Sequence, residues 1–227
     1  MVRKDSQQNN IARYIKQYGY AITGSIATGK STVCKLLSEL HYQTFDADGF
    51  AHSLRQKDAA GWRAIRAQPL FQHCFDACGH LQSHPLRQLI MSDPKAKELL
   101  ESLLHPLIHS AFLCAVEQWL HSQKVSSQHS SPLSSPWFFY EASLIYETQA
   151  EHLFKGVIVI HCDLQDQYAR LYKRDSLSLE QAKQAIAAQM PLSEKIQRAD
   201  EVIYTSQRLC DVKAALLEVL KRLSCQS

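Results

Sequence analysis

Residues 20 to 32 read Y-A-I-T-G-S-I-A-T-G-K-S-T, a G-x-x-x-x-G-K-S spacing set between a short apolar run and an amphipathic segment. A glycine-bounded loop of this kind does its work where a strand hands over to a helix, so this stretch constrains the fold more than any other. Gly24 and Gly29 stand where the backbone must turn tightly and approach phosphate oxygens without a Cβ in the way. Between them Ser25, Ile26, Ala27 and Thr28 form the cradle. Lys30 supplies a fixed cation for β- and γ-phosphates, and Ser31, followed by Thr32, supplies a hydroxyl for Mg²⁺. Val33, Leu36, Leu37 and Leu40 then recur at i, i+3, i+4, i+7, which predicts a helix whose free N–H groups and positive dipole end face the anion. A chance glycine-rich turn would require strand, glycines, Lys-Ser pair and helix to coincide. The chain is therefore expected to handle a nucleoside triphosphate.

The 227 residues suit one such domain with a modest insertion, or two small lobes. A net charge of +3, scattered along the chain, argues against a nucleic-acid partner. Seven cysteines, an odd number without a C-x-x-C pair, fit a reduced cytosolic chain better than a disulfide framework. The polar start lacks the apolar stretch of a signal peptide, and no run is read as a membrane span, so a cytoplasmic location and no membrane partner are expected.

Short apolar runs alternate with longer helical patterns, the signature of a parallel sheet covered by helices. Five strands are predicted, over 20–23, 43–46, 137–141, 156–161 and 202–204, giving an α/β fold with a five-stranded parallel sheet. The gap between the second and third strands far exceeds one crossover, so an inserted helical lobe is expected over 57–121. Core segments are then 18–56 and 137–227. Within the insertion, His105-Pro106 interrupts a long leucine-rich pattern, and the proline is expected to end or kink that helix. Residues 122–136, rich in serine, read as a flexible loop, and residues 1–17 as a dispensable extension.

Directly after the second strand comes F-D-A-D-G-F-A-H, residues 45–52. Ligands of open parallel sheets sit beyond the carboxyl ends of the strands, so Asp46 and Asp48 are placed to meet the phosphates. One carboxylate could accept the proton of an attacking hydroxyl while the other holds Mg²⁺ through water. The plainer reading is a helix cap, a position aspartate favours anyway.

These residues, together with L-R-Q-L-I-M at 86–91, L-E-S-L-L-H-P-L-I at 100–108, S-L-I-Y-E at 143–147, R-L-Y-K-R-D at 170–175, A-A-Q-M-P-L-S-E-K at 187–195 and A-D-E-V-I at 199–203, resemble the dephospho-coenzyme A kinases. The resemblance runs in unbroken order from about residue 20 to 205. It implies a P-loop kinase core with a helical acceptor lobe and a small helical lid at about 168–195. It also implies transfer of the ATP γ-phosphoryl group to the ribose 3′-hydroxyl of dephospho-coenzyme A, with ATP and Mg²⁺ as cofactors and a monomer or weak homo-oligomer as the working form. Asp48 then matches the catalytic base, alongside Lys30 and Arg174, and Asp46 assists at the metal or acceptor. His52, Arg87, His105, Glu147 and Gln189 fall on the acceptor side, Arg170 on the nucleotide side, and Glu141 joins Ser31 at the metal.

Some positions depart from the family pattern. Ser25 and Ala27 replace glycines, so the loop is expected to be stiffer and strained wherever it turns left-handed. Ser83 falls where the family has an acceptor arginine, Ser143 where it has proline, and Thr205 where it has asparagine. Three alternatives stand beside the resemblance: another small-molecule or nucleotide kinase, a GTP-dependent switch, for which the N-K-x-D motif is missing, and a non-catalytic ATP-binding homologue. Cys74, Cys78, His80 and His84 invite a zinc reading, but their two pairs are separated by one residue where zinc modules use about a dozen, and lobe residues are the default.

Overall fold

The structure, a computed structural model, describes residues 2–126 and 136–225, with side chains described from residue 9 to 123 and again from 136. The chain divides into two compact units, residues 1–45 with 131–227 and residues 46–130.

The first unit is built on β1 (Gly19–Thr23), buried at all five positions. Such a run, covered on both faces, is what a central parallel strand requires. With β2 (Gln43–Asp46), β3 (Phe138–Glu141), β4 (Gly156–His161) and β5 (Glu201–Tyr204) it forms a five-stranded parallel sheet in the order β2-β3-β1-β4-β5. All five predicted strands are present, each within a residue of its expected limits. Isoleucines 22, 158, 160 and 203 of the sheet pack with Val33 and Leu37 of α2 (Lys30–Glu39) and with Leu216 and Val219 of the last helix.

The N-terminal segment is no loose appendage. It forms α1 (Val2–Tyr18), and Ile11 and Ile15, one turn apart, are buried. Tyr14 stacks on Phe138 and donates a hydrogen bond to the Pro136 carbonyl at 2.8 Å, while Lys16 Nζ donates to the His152 and Phe154 carbonyls, each at 2.8 Å. The polar composition that suggested an extension belongs to a helix that buries Ile11 and Ile15.

The second unit holds α3 (Ala47–Leu54), α4 (Ala60–Arg66), a 3₁₀ turn at Pro69–Cys74, α5 (Ser83–Ser92) and α6 (Pro94–Ser126). Its core gathers Ile65, Phe71, Cys74, Leu86, Ala96, Leu100 and Leu104. The helical unit begins at Asp46 instead of at 57, because α3 packs on α4 and α6. Pro106 does not end the helix: α6 runs through it for 33 residues. A proline inside a helix costs about 3 kcal/mol, and buried Leu100 and Leu104 before it with Phe112 and Val116 after it offset that cost along one stripe. Against the sequence expectation, Pro94–Gln123 is long and apolar enough by length and composition to cross a membrane; part of that apolarity fills the core of its own unit. Cys74 lies in this core, and no group of three or more metal-ligating side chains occurs among the described residues. The serine-rich stretch lies outside the described residues from 127 to 135, its first residues belonging to α6.

After β4 the first unit resumes with α7 (Leu164–Asp175), α8 (Leu179–Ala187), α9 (Leu192–Gln197) and, following β5, α10 (Leu209–Cys225). α8 opens with a capping box in which Ser178 and Gln181 satisfy each other's backbone N–H groups.

Candidate active site

The loop leaves β1 at Gly24 with φ 152°, where a Cβ would sit 2.2 Å from the Ile160 carbonyl oxygen, so only glycine fits. Gly29 caps α2 at φ 97°. Between them Ala27 adopts φ 59°, the left-handed region that costs a residue with a Cβ about 1–2 kcal/mol. The expected strain thus falls on Ala27. Ser25 lies outside that region and is buried, 1% exposed.

Lys30 is also buried, and its Nζ donates to the carbonyl oxygens of Gly24 at 3.3 Å and Ser25 at 2.9 Å. The ammonium is therefore held over the loop before any phosphate arrives, which is the preorganisation a developing transition-state charge needs. Thr28 Oγ1 closes the turn onto the Ser25 carbonyl at 2.9 Å. Behind the loop, Thr205 Oγ1 donates to the Thr28 carbonyl at 2.6 Å. Arg170 spans the two, donating to Ala27 O at 3.3 Å, Thr205 Oγ1 at 3.1 Å and Thr205 O at 2.7 Å. Arg170 is thus fastened to the loop's outer wall.

A cleft of about 560 Å³ opens beside this wall. Ala27, Gly29, Ser31 and Thr32 line its loop side, and Arg170, Lys173, Arg174 and Thr205 the other. Three of its lining side chains are cations, as a polyphosphate site requires. Arg174 is exposed and donates to Asp175 through Nε at 3.0 and 3.1 Å and through Nη2 at 2.7 Å. Burial pushes the nearby Cys162 thiol up against a smaller opposing effect of Arg170, which disfavours the reactive thiolate.

Ser31 stands exposed in the first turn of α2. Glu141 ends β3 in register with Ile22, two residues before Gly24. A hydroxyl and a carboxylate are oxygen donors of the kind Mg²⁺ accepts together with retained waters, so the residues present fit that ion.

Glu147 and Gln189, read as acceptor-side residues, are engaged within the sheet unit. Glu147 Oε1 receives Lys195 Nζ at 2.8 Å and the Met190 N–H at 3.0 Å. Gln189 Oε1 receives the Ile26 N–H at 2.7 Å and the Ser25 hydroxyl at 3.1 Å. Lys195 and Gln167 were not singled out from sequence. Lys195 closes the A-A-Q-M-P-L-S-E-K motif, and that position was the one available signal for it.

In the helical unit, Asp46 caps α3 by accepting the Asp48 N–H at 2.9 Å. The cap reading is correct for Asp46, yet both carboxylates are exposed and open to a ligand. His52, in the last turn of α3, lies 2.9 Å from Gln56 Nε2 and lines a pocket of about 90 Å³ with Arg55, Lys57 and His80. Arg87 on α5 and His105 on α6 are exposed and do not line that pocket. Arg55 and Lys57, just beyond the D-A-D-G-F-A-H motif, take their place beside His52.

A P-loop at the end of a parallel strand, a buried loop lysine and a cleft carrying three cations define a P-loop phosphotransferase of the kinase class. The chain belongs to the dephospho-CoA kinase family, whose profile matches residues 18–211. A zebrafish (Danio rerio) dephospho-CoA kinase domain-containing protein is 33% identical over 89% of this chain and 83% of its own length. The dephospho-CoA kinase of Sodalis glossinidius is 32% identical over 85% of each chain. Among solved structures, a Thermus thermophilus protein superposes with a TM-score of 0.70 at 30% identity, covering 91% of this chain and 97% of that one. The dephospho-CoA kinase of Campylobacter jejuni gives 0.53 at 25% identity, covering 90% and 96%.

Proposed function

We infer that this chain transfers the γ-phosphoryl group of ATP to the ribose 3′-hydroxyl of dephospho-coenzyme A, giving coenzyme A and ADP in the last step of coenzyme A synthesis. The observation that carries the chemistry is Lys30, buried and hydrogen-bonded to two loop carbonyls, so that its charge is fixed where phosphate oxygens enter. Family membership supplies the acceptor.

In the reaction, Asp48 takes the proton of the 3′-hydroxyl as that oxygen forms its bond to the γ-phosphorus and the bond from phosphorus to the β,γ-bridging oxygen breaks. Lys30 and the N–H groups of residues 27–32 bind the phosphates, and Arg174 meets the charge on the transferring group. Ser31, with water oriented by Glu141, would hold Mg²⁺, which would supply positive charge to offset that of the phosphates. His52, Arg87 and His105 face the acceptor, with Arg55 and Lys57 added by the pocket around His52. The segment 168–195 acts as the lid. A monomer or weak homo-oligomer working in the cytoplasm, on small molecules alone, completes the reading.

A coupled assay with ATP and Mg²⁺ against dephospho-coenzyme A, adenosine, AMP and shikimate tests it. Dephospho-coenzyme A is expected to be preferred by at least tenfold in kcat/KM. Equal or better turnover of another acceptor overturns the assignment, and undiminished turnover after chelation with EDTA overturns the metal role.

A further inference from the structure

The loop serine that departs from the family pattern sits between two glutamines. Ser25 Oγ accepts from Gln167 Nε2 at 3.0 Å and donates to Gln189 Oε1 at 3.1 Å. The same two side chains also hold the next residue, Gln167 Nε2 donating to the Ile26 carbonyl at 2.6 Å and Gln189 Oε1 accepting the Ile26 N–H at 2.7 Å. Four hydrogen bonds therefore join one dipeptide of the phosphate loop to α7 and to the short link between α8 and α9. Gln167 is 2% exposed and Ser25 1%, so these groups have no water to replace a lost partner. A glycine at position 25 would leave Gln167 and Gln189 with the Ile26 backbone alone.

We propose that Ser25 is a positioning residue that fastens the α8–α9 segment to the phosphate loop before nucleotide binds, acting through Gln189 and Gln167. Gln189 lies two residues after α8, whose capping box makes it a self-contained helix. The far end of the link is fixed by Lys195 on the Ser143 carbonyl at 2.7 Å. The segment is thus anchored at α9 and, through the Met190 N–H, at Glu147, and the Gln189 side chain ties it to the loop. Loss of the Ser25 bond leaves Gln189 with the Ile26 N–H alone and α8 with its packing on α7, a weaker hold, so the segment opens more often in the free protein and the catalytic conformation is reached less often. The loop backbone and the Lys30 charge stay in place. The signature is a fall in kcat with little change in KM for ATP, a split that loss of a phosphate ligand would not give. This inference builds on the kinase reading for its kinetic arm only.

Hydrogen exchange of the full-length, nucleotide-free protein tests it without reference to activity. In Ser25→Ala, amides of residues 179–190 are expected to exchange about fivefold faster, the change that one net hydrogen bond of about 1 kcal/mol gives, while α2 and β1 amides keep their rates. Gln189→Met should do the same. Gln189→Glu keeps the acceptor oxygen, so it should restore the slow exchange but weaken ATP binding through its charge. With dephospho-coenzyme A kinase activity assayed in parallel, Ser25→Ala should lower kcat severalfold with KM for ATP within twofold. Unchanged exchange across 179–190 in both Ser25→Ala and Gln189→Met overturns the proposal whatever the enzyme phosphorylates. Faster exchange spread evenly over the first unit also overturns it, showing Ser25 to be a packing residue. Absence of activity on dephospho-coenzyme A in the unaltered protein, with the exchange result intact, overturns the acceptor assignment and leaves the tie standing.

Discussion

Lys195 Nζ lies 2.8 Å from Glu147 Oε1, and the lysine is fully buried. The ammonium also donates to the Ser143 carbonyl, and Glu147 Oε1 also receives the Met190 N–H, so one ion pair fixes α9 and the link before it to the segment after β3. Removing one partner of a buried pair strands the other charge. Glu147→Gln is expected to destabilise the protein by about 1–3 kcal/mol, below the full figure for a buried pair because the glutamate is 23% exposed. Lys195→Met, which removes the buried charge itself, should cost less than Lys195→Ala, which also leaves a cavity. Urea unfolding of the three variants gives the order; a Glu147→Gln protein as stable as its parent would show that the pair has no structural weight.

The strained position in the loop gives a prediction of opposite sign. At Ala27, φ 59° disfavours any side chain, so Ala27→Gly should raise stability by about 0.5–1 kcal/mol despite the extra freedom glycine has in the unfolded chain. Gly24→Ala at the other end should fail to give a native loop, since its Cβ would overlap the Ile160 carbonyl. Denaturation midpoints decide both, and destabilisation by Ala27→Gly would mean the left-handed turn carries no strain.

For α1 the prediction concerns folding. Ile15, 3% exposed, should cost about 2–4 kcal/mol when changed to Ala. Deleting residues 2–18 should uncover Phe138 and give a chain that aggregates or unfolds at lower urea. Wild-type midpoints in the deletion would return the segment to the status of an extension.

What the sequence disclosed and what it withheld divide by range. The strand-loop-helix from residue 19 to 39 was legible because phosphate binding demands particular residue types at adjacent positions, and Gly24, Gly29 and Lys30 have few other reasons to stand at that spacing. The five strands were legible for a similar reason, each being a short apolar run between turn residues. Contacts made between residues far apart in sequence, up to 164 positions, left no local trace: Glu147 with Lys195, Gln167 and Gln189 with Ser25. Pro106 misled because its local preference is strong, while the stripe that overrides it extends from Ala96 to Val116. α1 was missed because eight polar residues among the first ten outweighed Ile11 and Ile15 in any reading by composition.

Within the carboxylate pair, Asp46 is the observed cap and Asp48 the proposed base. Asp46 is spent partly on capping α3, which asparagine does equally well, so Asp46→Asn should fold normally and keep most of its turnover. Asp48→Asn keeps shape but cannot take a proton, and kcat should fall by about 10²–10⁴ with acceptor affinity little changed. Steady-state kinetics with dephospho-coenzyme A distinguishes them, and a crippled Asp46→Asn beside an active Asp48→Asn would reverse the assignment.

The final prediction concerns the cation of the proposed lid. Arg174 faces the cleft but spends its Nε and Nη2 on Asp175, its neighbour in sequence. Ion pairs this exposed are worth about 0–1 kcal/mol, so a phosphate oxygen competes for the guanidinium at little cost. Asp175→Asn should therefore change kcat by less than about fivefold, the limit that 1 kcal/mol sets. Arg174→Lys presents a different case: an ammonium cannot reproduce the planar fork, so ATP should still bind while turnover falls by about 10²-fold or more. Exchange across 170–192 should slow further when an ATP analogue and dephospho-coenzyme A are present together, as closure over both ligands requires. A fully active Arg174→Lys enzyme whose exchange ignores both ligands would make this stretch a charged surface helix, and the cation for the transferring phosphate would have to be sought at Lys173 or Arg170.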